Sequence, residues 1–382
     1  MATSAVGPGF LTQTSVFTAE LGASFGFAIL VSVIVDVVAQ FNVWQVIAVS
    51  GRRAQELGNA VLPGLGWFLA ALVAVGGLAF NIGNIAGTGL GLNAMLDVPV
   101  RTGAVVSAVV SIGIFMLPDA GRAMDRFAQV MGFVMVALTL YVAATAHPPV
   151  ADAIVGTVAP ADWSVLTIVT LVGGTVGGYI TFAGAHRLID AGVSGLGVQA
   201  EVRRTAGLAI GVASLMRVLL FLAVLGVVSR GLTLDPANPP ASVFQLAIGQ
   251  IGYRLFGIVM WTAAITSVVG AAYTSVSFLR SLSPWAERFW TRLVIGFIGL
   301  STIVFLVVGR PVKTLIAVGA LNALVLPVGL VVVLVAAHRR SLMPEGYRHS
   351  PWLTITGALV AAAMAVMGGY TLVTALPRMW GG

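Results

Sequence analysis

The amino-acid sequence predicts an all-α membrane protein with about eleven transmembrane helices. Hydrophobic residues make up 58% of the 382-residue chain, charged residues only 9%, and the mean hydropathy is +1.02. A soluble chain of this length needs far more charge. Apolar runs of about 20 residues recur along the chain, long enough to span a bilayer as helices, and they lack the alternating polarity of barrel strands.

The predicted spans are separated by short polar connections. A short first span covers roughly 7–24, and ten more lie near 25–48, 65–96, 100–117, 122–145, 163–189, 205–229, 252–279, 291–309, 312–337 and 352–376.

Basic residues are divided unequally between the two sets of connecting loops. One set contains Arg52, Arg53, Arg122, Arg126, Arg203, Arg204, Arg280, Arg288, Arg292, Arg339, Arg340 and Arg348. The other set contains Arg101, Arg230, Arg254, Arg310 and Lys313. By the positive-inside rule, we expect a multi-pass protein of the cell (cytoplasmic) membrane with the first set of loops and the N-terminus in the cytoplasm. The net charge of +7 is therefore assigned to cytoplasmic loops, and no nucleic-acid partner is expected.

Two spans contain unusual glycine-rich stretches. GPGFLTQTS opens span 1, and GGTVGGYIT interrupts span 6. Each glycine costs about 1 kcal/mol relative to alanine in a helix interior, so this density indicates a broken helix or very close helix packing. Interrupted helices at matching positions, five spans apart, are typical of inverted-repeat transporters whose site lies between the broken helices. In span 3, the stripe Gly83, Gly87 and Gly91 favours helix packing.

Several stretches resemble the NRAMP family of divalent-metal transporters. GPGFL resembles the opening GPxFL of the family, FGFAIL resembles FGYxLL, GTGLGLNAMLDVP resembles GTAIGLNLLFGIP, and LNALVLPVGLV resembles LSLQLPFALIP. The similarity covers most of the chain in the same order, through span 10. It implies a LeuT-type fold, with a five-plus-five inverted repeat, broken helices 1 and 6, and one extra helix.

The resemblance also implies a single transmembrane transporter domain over residues 1–382. Repeat one would cover about 7–145, repeat two about 163–337, and the extra helix about 352–376. We expect a monomer that carries a small inorganic ion without a cofactor. No enzyme motif is found, since HExxH, Walker and nucleophile-elbow patterns are missing and GTGLG lies inside a transmembrane helix. The chain has no cysteine, which excludes thiolate sites.

The departures from the family pattern concern its metal and proton sites. The metal-binding DPGN of span 1 has no counterpart here. Where the family reads LLGATVMPH in span 6, this chain reads LVGGTVGGY, so Gly177 stands in place of Met, Gly178 in place of Pro and Tyr179 in place of His. Asn81 and Asn84 replace acidic residues that serve proton movement. The resemblance therefore argues against a transition-metal site in this cleft and against the usual proton coupling.

The predicted site contains hydroxyl groups, one side-chain amide and the backbone N–H groups of glycines. The candidate substrate-binding residues are Thr12, Gln13, Thr14, Ser15 and Thr18 of span 1, and Thr175, Gly177, Gly178 and Tyr179 of span 6. Such donors at the N-terminus of a half-helix suit a small oxyanion. The first hypothesis is a secondary transporter of a small anion such as bicarbonate. The alternative is a transporter of a divalent metal cation, Mg²⁺ or Mn²⁺, held by oxygen ligands. A non-transporting membrane sensor is a third possibility.

Charged and polar residues inside the spans are candidates for coupling or for the ion pathway. Asp36 in span 2 and Arg217 in span 7 each cost several kcal/mol unless paired, so we predict an ion pair between them, either static or coupled to transport. The other candidates are Glu20, Asn81, Asn84, His186, Arg187, Thr266 and Ser267. The hydroxyls of span 8, including Thr274, either bind Na⁺ as a coupling ion or bond to their own backbone. His186 and Arg187 either extend to the membrane surface or form an electropositive exit.

Overall fold

The computed structural model describes residues 7–280 and 283–380, and all regular secondary structure in these two segments is helical. The helices before the span 6 region are α1 (Pro8–Leu21), α2 (Phe25–Ser50), α3 (Ala54–Val61), α4 (Leu65–Leu96), α5 (Val100–Met116), α6 (Pro118–Thr145) and α7 (Val150–Val158). The remaining helices are α8 (Val165–Thr175), α9 (Gly178–Asp190), α10 (Gln199–Val228), α11 (Pro239–Arg280), α12 (Pro284–Arg288), α13 (Trp290–Val308), α14 (Pro311–Ala323), α15 (Val325–His338), α16 (Pro351–Tyr370) and α17 (Leu376–Trp380).

The described helices account for all eleven predicted spans. Nine helical stretches are long and apolar enough to cross a membrane, and the shorter helix Val100–Met116 matches span 4. The stretch Pro8–Ser50 contains spans 1 and 2, which are separated by a 3₁₀ turn at Gly22–Ser24. The prediction of an all-α membrane protein is therefore confirmed.

Local sequence explains several helix ends. Pro8, Pro311 and Pro351 each occupy the first turn of a helix, where the missing N–H of proline costs nothing. Gly51 and Gly309 end α2 and α13 in the left-handed conformation, each with φ of 63°, which glycine adopts without steric cost. These residues set the lengths of the spans that surround the site.

Among the described residues, interruptions occur in three of the spans or at their edges. Span 6 is broken at Val176–Gly177, between α8 and α9, as predicted. Span 1, predicted to be broken, is one uninterrupted helix from Pro8 to Leu21 and is followed by the 3₁₀ turn at Gly22–Ser24. Helix α11 is kinked at Ile248–Gly249, just before predicted span 8. A separation of α14 from α15 at Leu324 was not predicted.

Helix α4 lies at the centre of the bundle and packs extensively on α11 and α14. Its glycine stripe permits this approach. A Cβ at Gly83 would lie 2.8 Å from a Val318 methyl of α14, and one at Gly91 would lie 2.6 Å from the backbone nitrogen of Trp261 in α11. A Cβ at Gly87 would overlap Pro8 at the start of α1. The packing function predicted for this stripe is confirmed.

Candidate functional site

The break in span 6 is stabilised by hydrogen bonds from its own residues and from span 10. The backbone N–H of Gly177 donates to the carbonyl of Val172 (2.8 Å). The Thr181 hydroxyl donates to the carbonyl of Val176 (2.7 Å). The side-chain amide of Asn322 donates to the carbonyl of Gly173 (2.7 Å). The carbonyls of Gly173 and Val176 are thus satisfied by side chains, which a buried helix break requires.

Three glycines of the GGTVGGY stretch pack so closely on neighbouring groups that a Cβ would not fit. A Cβ at Gly173 would overlap the carbonyl oxygen of Gly319 in α14, and one at Gly174 would overlap the Gln13 amide of α1. A Cβ at Gly177 would lie 2.6 Å from the Asn322 amide nitrogen. These three positions therefore need glycine for close packing, while Gly178 is the first residue of α9.

Of the span 1 candidates, Gln13 lies in a closed region, here called the Gln13 cleft and formed by Gln13, Gly174 and Gly319. The side chains of Thr12, Gln13 and Thr14 are fully buried, and the Gln13 amide donates to the carbonyl of Leu315 (2.9 Å). Among the described residues, no hydrogen-bond partner is found for Thr12 Oγ1, Gln13 Oε1 or Thr14 Oγ1. The cleft is polar but tightly filled.

The two other candidates of span 1 bond to their own helix. Ser15 Oγ donates to the carbonyl of Leu11 (2.9 Å), and Thr18 Oγ1 donates to the carbonyl of Thr14 (2.6 Å). Such bonds are the usual way in which hydroxyls are satisfied inside apolar helices. Both side chains are fully buried.

An open cavity of about 80 Å³ lies beside the helix break and is called the ion-pair pocket. Space of this size admits roughly five to eight water positions. Its polar lining consists of Asp36, Gln40, Thr175, Tyr179, Thr181, Arg187, Arg217, Thr266, Ser267 and Thr274. These residues come from α2, α8, α9, α10 and α11, and none comes from α1.

The predicted ion pair forms the inner end of this pocket. Arg217 Nη2 lies 2.8 Å from Asp36 Oδ2, and both side chains are almost completely buried. Arg217 Nη1 also donates to Ser32 Oγ (2.7 Å). Within the described residues, Asp36 Oδ1 and Arg217 Nε have no hydrogen-bond partner. The pair therefore presents one free acceptor and one free donor.

The side of the pocket nearest the helix break is built from Thr175 and Tyr179. Thr175 Oγ1 donates to the carbonyl of Leu171 (2.7 Å), which leaves its lone pairs available as an acceptor. The Tyr179 ring packs on Phe80, with centroids 5.5 Å apart, and Thr274 lies within hydrogen-bonding reach of the Tyr179 hydroxyl. These contacts fix two hydroxyl groups next to the cavity.

Arg187 lies at the outer end of the pocket, on α9, the helix that follows the break. It is exposed, and a Cβ at Gly270 of α11 would lie 3.5 Å from its Nη2 atom. The guanidinium group therefore reaches across the pocket from α9 to α11. Two arginines and one carboxylate line the cavity, so its fixed charge is net positive.

The remaining predicted residues are dispersed. Asn81 donates to Ser301 Oγ (3.1 Å) on α13, away from the pocket. His186 is buried, accepts the backbone N–H of Ala54 (3.2 Å) and stacks on Phe278 at 4.4 Å. Glu20 is exposed near the end of α1. The structure therefore does not bring these three residues together.

Asn84 and the span 8 hydroxyls lie near the beginning of α1. A Cβ at Gly7 would lie 3.7 Å from Ser267 Oγ and 3.9 Å from Asn84 Oδ1. The Asn84 amide nitrogen and Ser267 Oγ have no partner among the residues described. Thr266 Oγ1 donates to the carbonyls of Thr262 and Ala263 in its own helix.

Asn322 and Gln40 are site-region residues that the sequence analysis missed. Asn322 caps the broken span 6 from α14, and Gln40 lines the pocket one turn after Asp36. Both are polar residues within apolar spans, which is the signal that identified Asp36 and Arg217. Applied to uncharged residues as well, the same criterion would have found them.

The chemistry available in the pocket is that of oxygen acceptors and guanidinium donors. No group of three or more His, Cys, Asp or Glu side chains that could hold a metal ion is found in the described parts of the chain.

Comparisons with known proteins identify relatives along the whole chain. The family profile described as Natural resistance-associated macrophage protein-like (Nramp) matches residues 1–374. An uncharacterised membrane protein of Bacillus subtilis, YcsG, is 58% identical over 380 residues, covering 100% of this chain and 94% of that protein. An uncharacterised membrane protein of Haemophilus influenzae is 53% identical over 374 residues, covering 98% and 94%.

Solved structures share the fold at low sequence identity. A variant of the Eremococcus coleocola manganese transporter has a TM-score of 0.73 at 15% identity, covering 96% of this chain and 83% of that one. The same transporter in complex with an aromatic bis-isothiourea substituted compound has a TM-score of 0.73 at 14% identity, covering 97% and 84%. These matches confirm the LeuT-type fold that the sequence predicted.

Proposed function

The chain belongs to the Nramp family of membrane transporters, and on that premise we propose that it is a secondary transporter that moves a small inorganic ion through the ion-pair pocket. The observation that carries this proposal is the position of the pocket, directly beside the break between α8 and α9. Broken helices in transporters place a cargo site at mid-membrane, where unwound backbone can line a cavity. An enzymatic function is not proposed, because the family and its structural neighbours are transporters.

A divalent metal cation is the first cargo to test. The family membership and the manganese transporters among the structural neighbours favour it over bicarbonate. In this chain the ligands would be oxygens, with Asp36 Oδ1 and the hydroxyl of Thr175 as the nearest acceptors. A cation held by so few ligands keeps most of its waters, as Mg²⁺ commonly does.

A small anion is the second cargo, favoured by the charge of the pocket. Arg187 and Arg217 line it together with a single carboxylate, and Arg217 Nε is an unused donor. The start of α9 adds the partial positive charge of a helix N-terminus at Gly178. Bicarbonate, the first hypothesis from the sequence, has no support from the comparisons and rests on these groups alone.

The topology and coupling complete the proposal. We place the N-terminus and the loops that contain Arg52, Arg53 and Arg126 in the cytoplasm, with repeat one at about 7–145 and repeat two at about 163–337 of a single domain. The transporter acts as a monomer without a cofactor. Na⁺ is the proposed coupling ion, with Ser267 Oγ as its most accessible hydroxyl because Thr266 is engaged by its own helix.

Uptake into proteoliposomes tests the function and the cargo together. Purified protein is reconstituted, and uptake of Mn²⁺, Mg²⁺ and bicarbonate is compared with and without Na⁺ and pH gradients. Protein-dependent uptake of either metal identifies the first cargo, and uptake of bicarbonate alone identifies the second. Rates equal to those of protein-free liposomes for all three ions would contradict the proposal.

A pair of glycine variants tests the pathway. Gly270→Leu places a side chain in the ion-pair pocket, where the only nearby group is the flexible end of Arg187. Gly207→Leu is the matched control, because nothing lies within 4 Å of its Cβ position on α10. We expect at least about a tenfold loss of uptake for the first, equal to roughly 1.4 kcal/mol, and no loss for the second. A folded Gly270→Leu protein with full uptake would place the pathway elsewhere.

A further inference from the structure

A second and larger cavity opens on the opposite side of Thr266. Its volume is about 460 Å³, compared with about 80 Å³ for the ion-pair pocket. It lies between α6, α10 and α11 and reaches Leu11 of α1. Thr266 lines both cavities, so a single helix wall separates this space from the proposed ion pathway.

The lining of this cavity is almost entirely apolar. It includes Met131, Met135, Met216, Val259 and Ala263. Methionine side chains are flexible and adapt to irregular apolar ligands. The hydroxyl of Thr266 is already bonded to its own helix, so the inner part of the cavity makes no demand for a polar ligand. An interior void of this size forfeits dispersion contacts along its whole lining, which an apolar occupant restores.

The cavity runs from the outer surface of the bundle to its centre. Phe133 at its rim is 77% exposed and Val212 is 43% exposed, whereas Met216 is 2% exposed and Leu11 is fully buried at its inner end. Both rim residues belong to helices that are long and apolar enough to cross a membrane. The entrance therefore faces the hydrocarbon part of the bilayer.

A basic residue lies on the same face of α6 as the cavity. Arg126, Gln129, Phe133 and Val136 follow one another at intervals of three, four and three residues, which places them on one helix stripe. At 1.5 Å per residue, Arg126 is about 15 Å along the helix from Val136, half of the roughly 30 Å hydrocarbon core. The side chain of Arg126 is exposed, so its guanidinium can extend toward a lipid headgroup.

We propose that this cavity binds one acyl chain of an anionic phospholipid, whose phosphate is held by Arg126. The apolar lining, the entrance on the membrane face and a cation about one helical turn beyond Gln129 match the three parts of such a lipid. The bound acyl chain occupies the space between the bilayer and Thr266, whose other side lines the ion-pair pocket. The site is distinct from the proposed cargo site, because Arg126 and the lining residues other than Thr266 lie outside the ion-pair pocket.

Native mass spectrometry of the full-length protein tests the proposal. The protein is delipidated in detergent and titrated with phosphatidylglycerol or with phosphatidylcholine of the same acyl chains. We expect one tightly retained phosphatidylglycerol per chain, and weaker retention of phosphatidylcholine. Arg126→Gln should reduce the affinity for phosphatidylglycerol about fivefold, the effect of one basic residue near a membrane surface. Arg348→Gln, which removes an exposed arginine from the loop between α15 and α16, should leave that affinity unchanged.

Filling the cavity tests the position of the chain. Ala263→Phe occupies the inner part, and Gly132→Phe does so from the opposite wall if the first variant folds poorly. We expect either variant to lower retention at least about tenfold, because each buried CH₂ contributes roughly 0.8 kcal/mol. Ala362→Phe, at an exposed position of α16, is the control for added bulk. Unchanged retention in a folded Ala263→Phe or Gly132→Phe protein would overturn the proposal, as would equal affinity for the two lipids.

Discussion

The Gln13 cleft and the ion-pair pocket contain similar polar groups but use them differently. In the cleft, the amide of Gln13 bonds to the carbonyl of Leu315 on α14, and no glycine there leaves space for a ligand. In the pocket, Asp36 and Arg217 satisfy each other only in part and face about 80 Å³ of open volume. Polar side chains inside a membrane protein can either hold helices together or form a binding site. An open cavity beside them distinguishes the second case from the first.

The ion pair should give the largest effect on stability. Asp36→Arg alone places two arginines in the same buried position, and breaking a buried pair costs about 3–5 kcal/mol. The double variant Asp36→Arg with Arg217→Asp should recover part of this loss. The melting temperatures and size-exclusion profiles of the wild-type protein, Asp36→Arg, Arg217→Asp and the double variant measure the coupling. Additive losses in the double variant would show that the two side chains do not depend on each other.

A larger side chain at the helix break should destabilise the fold by overpacking. In Gly177→Met, the Cβ would lie 2.6 Å from the amide nitrogen of Asn322 and disturb its bond to Gly173. Overpacking of this kind costs about 1–3 kcal/mol, so the melting temperature should fall. Gly207→Met, at an open position on α10, is the control. A Gly177→Met protein with normal stability and no transport would instead place the cargo at this glycine.

Loss of the cap from span 10 should cost about as much stability as the glycine substitution and less than loss of the ion pair. Asn322→Leu removes the donor to the carbonyl of Gly173 and leaves that oxygen unsatisfied in the interior. The expected cost is about 1–3 kcal/mol, which is lower than for the ion pair because no buried charge loses its partner. Hydrogen exchange of the α8–α9 segment measures the local loosening. Unchanged exchange rates would mean that water replaces the amide.

Transport kinetics should separate the two regions. Thr175→Val removes an acceptor from the pocket, so the KM for the cargo should rise about fivefold, equal to roughly 1 kcal/mol, while the melting temperature changes little. Gln13→Leu should do the reverse and lower the melting temperature without changing KM. If the Gln13 variant alters KM and the Thr175 variant does not, the cargo binds in the cleft.

A hydrogen-bond network around His349, outside both the Gln13 cleft and the ion-pair pocket, should give the smallest effect on stability. His349 donates to Asn42 Oδ1 (2.9 Å) and accepts from the Tyr347 hydroxyl (2.8 Å). Burial, with a smaller contribution from His338, lowers the pKa of His349 to about 4. Since the unfolded side chain has a pKa of about 6.5, the unfolded state binds more protons below that pH. Stability contributed by the neutral ring should therefore be full above about pH 6.5 and decline toward pH 4.

The pH effect is measured as the melting temperature between about pH 7.5 and pH 5. His349→Gln should flatten this dependence. His147→Asn is the control, because His147 is exposed and asparagine tolerates its φ of 50°. An unchanged slope in His349→Gln would show that other groups determine the acid sensitivity.

Much of the site region followed from residue chemistry. The pairing of Asp36 with Arg217 was predictable because an unpaired charge at mid-membrane is too costly to persist. The break at Val176–Gly177 was predictable from glycine density. The span 1 residues were expected to face a ligand, yet Ser15 and Thr18 bond to their own helix, and a side-chain hydroxyl in sequence does not reveal which partner it has.

The sequence by itself determined the fold class, the positions of the spans, the break in span 6 and the ion pair. These features depend on hydropathy, glycine content and the cost of burying charge, which act locally or between few residues. Only the tertiary structure decided that Gly173 and Gly174 face α14 and α1, and that the open volume lies beside Arg217 instead of Gln13. Cavities are what remains after all helices have packed, so they depend on side-chain volumes from distant parts of the chain at once.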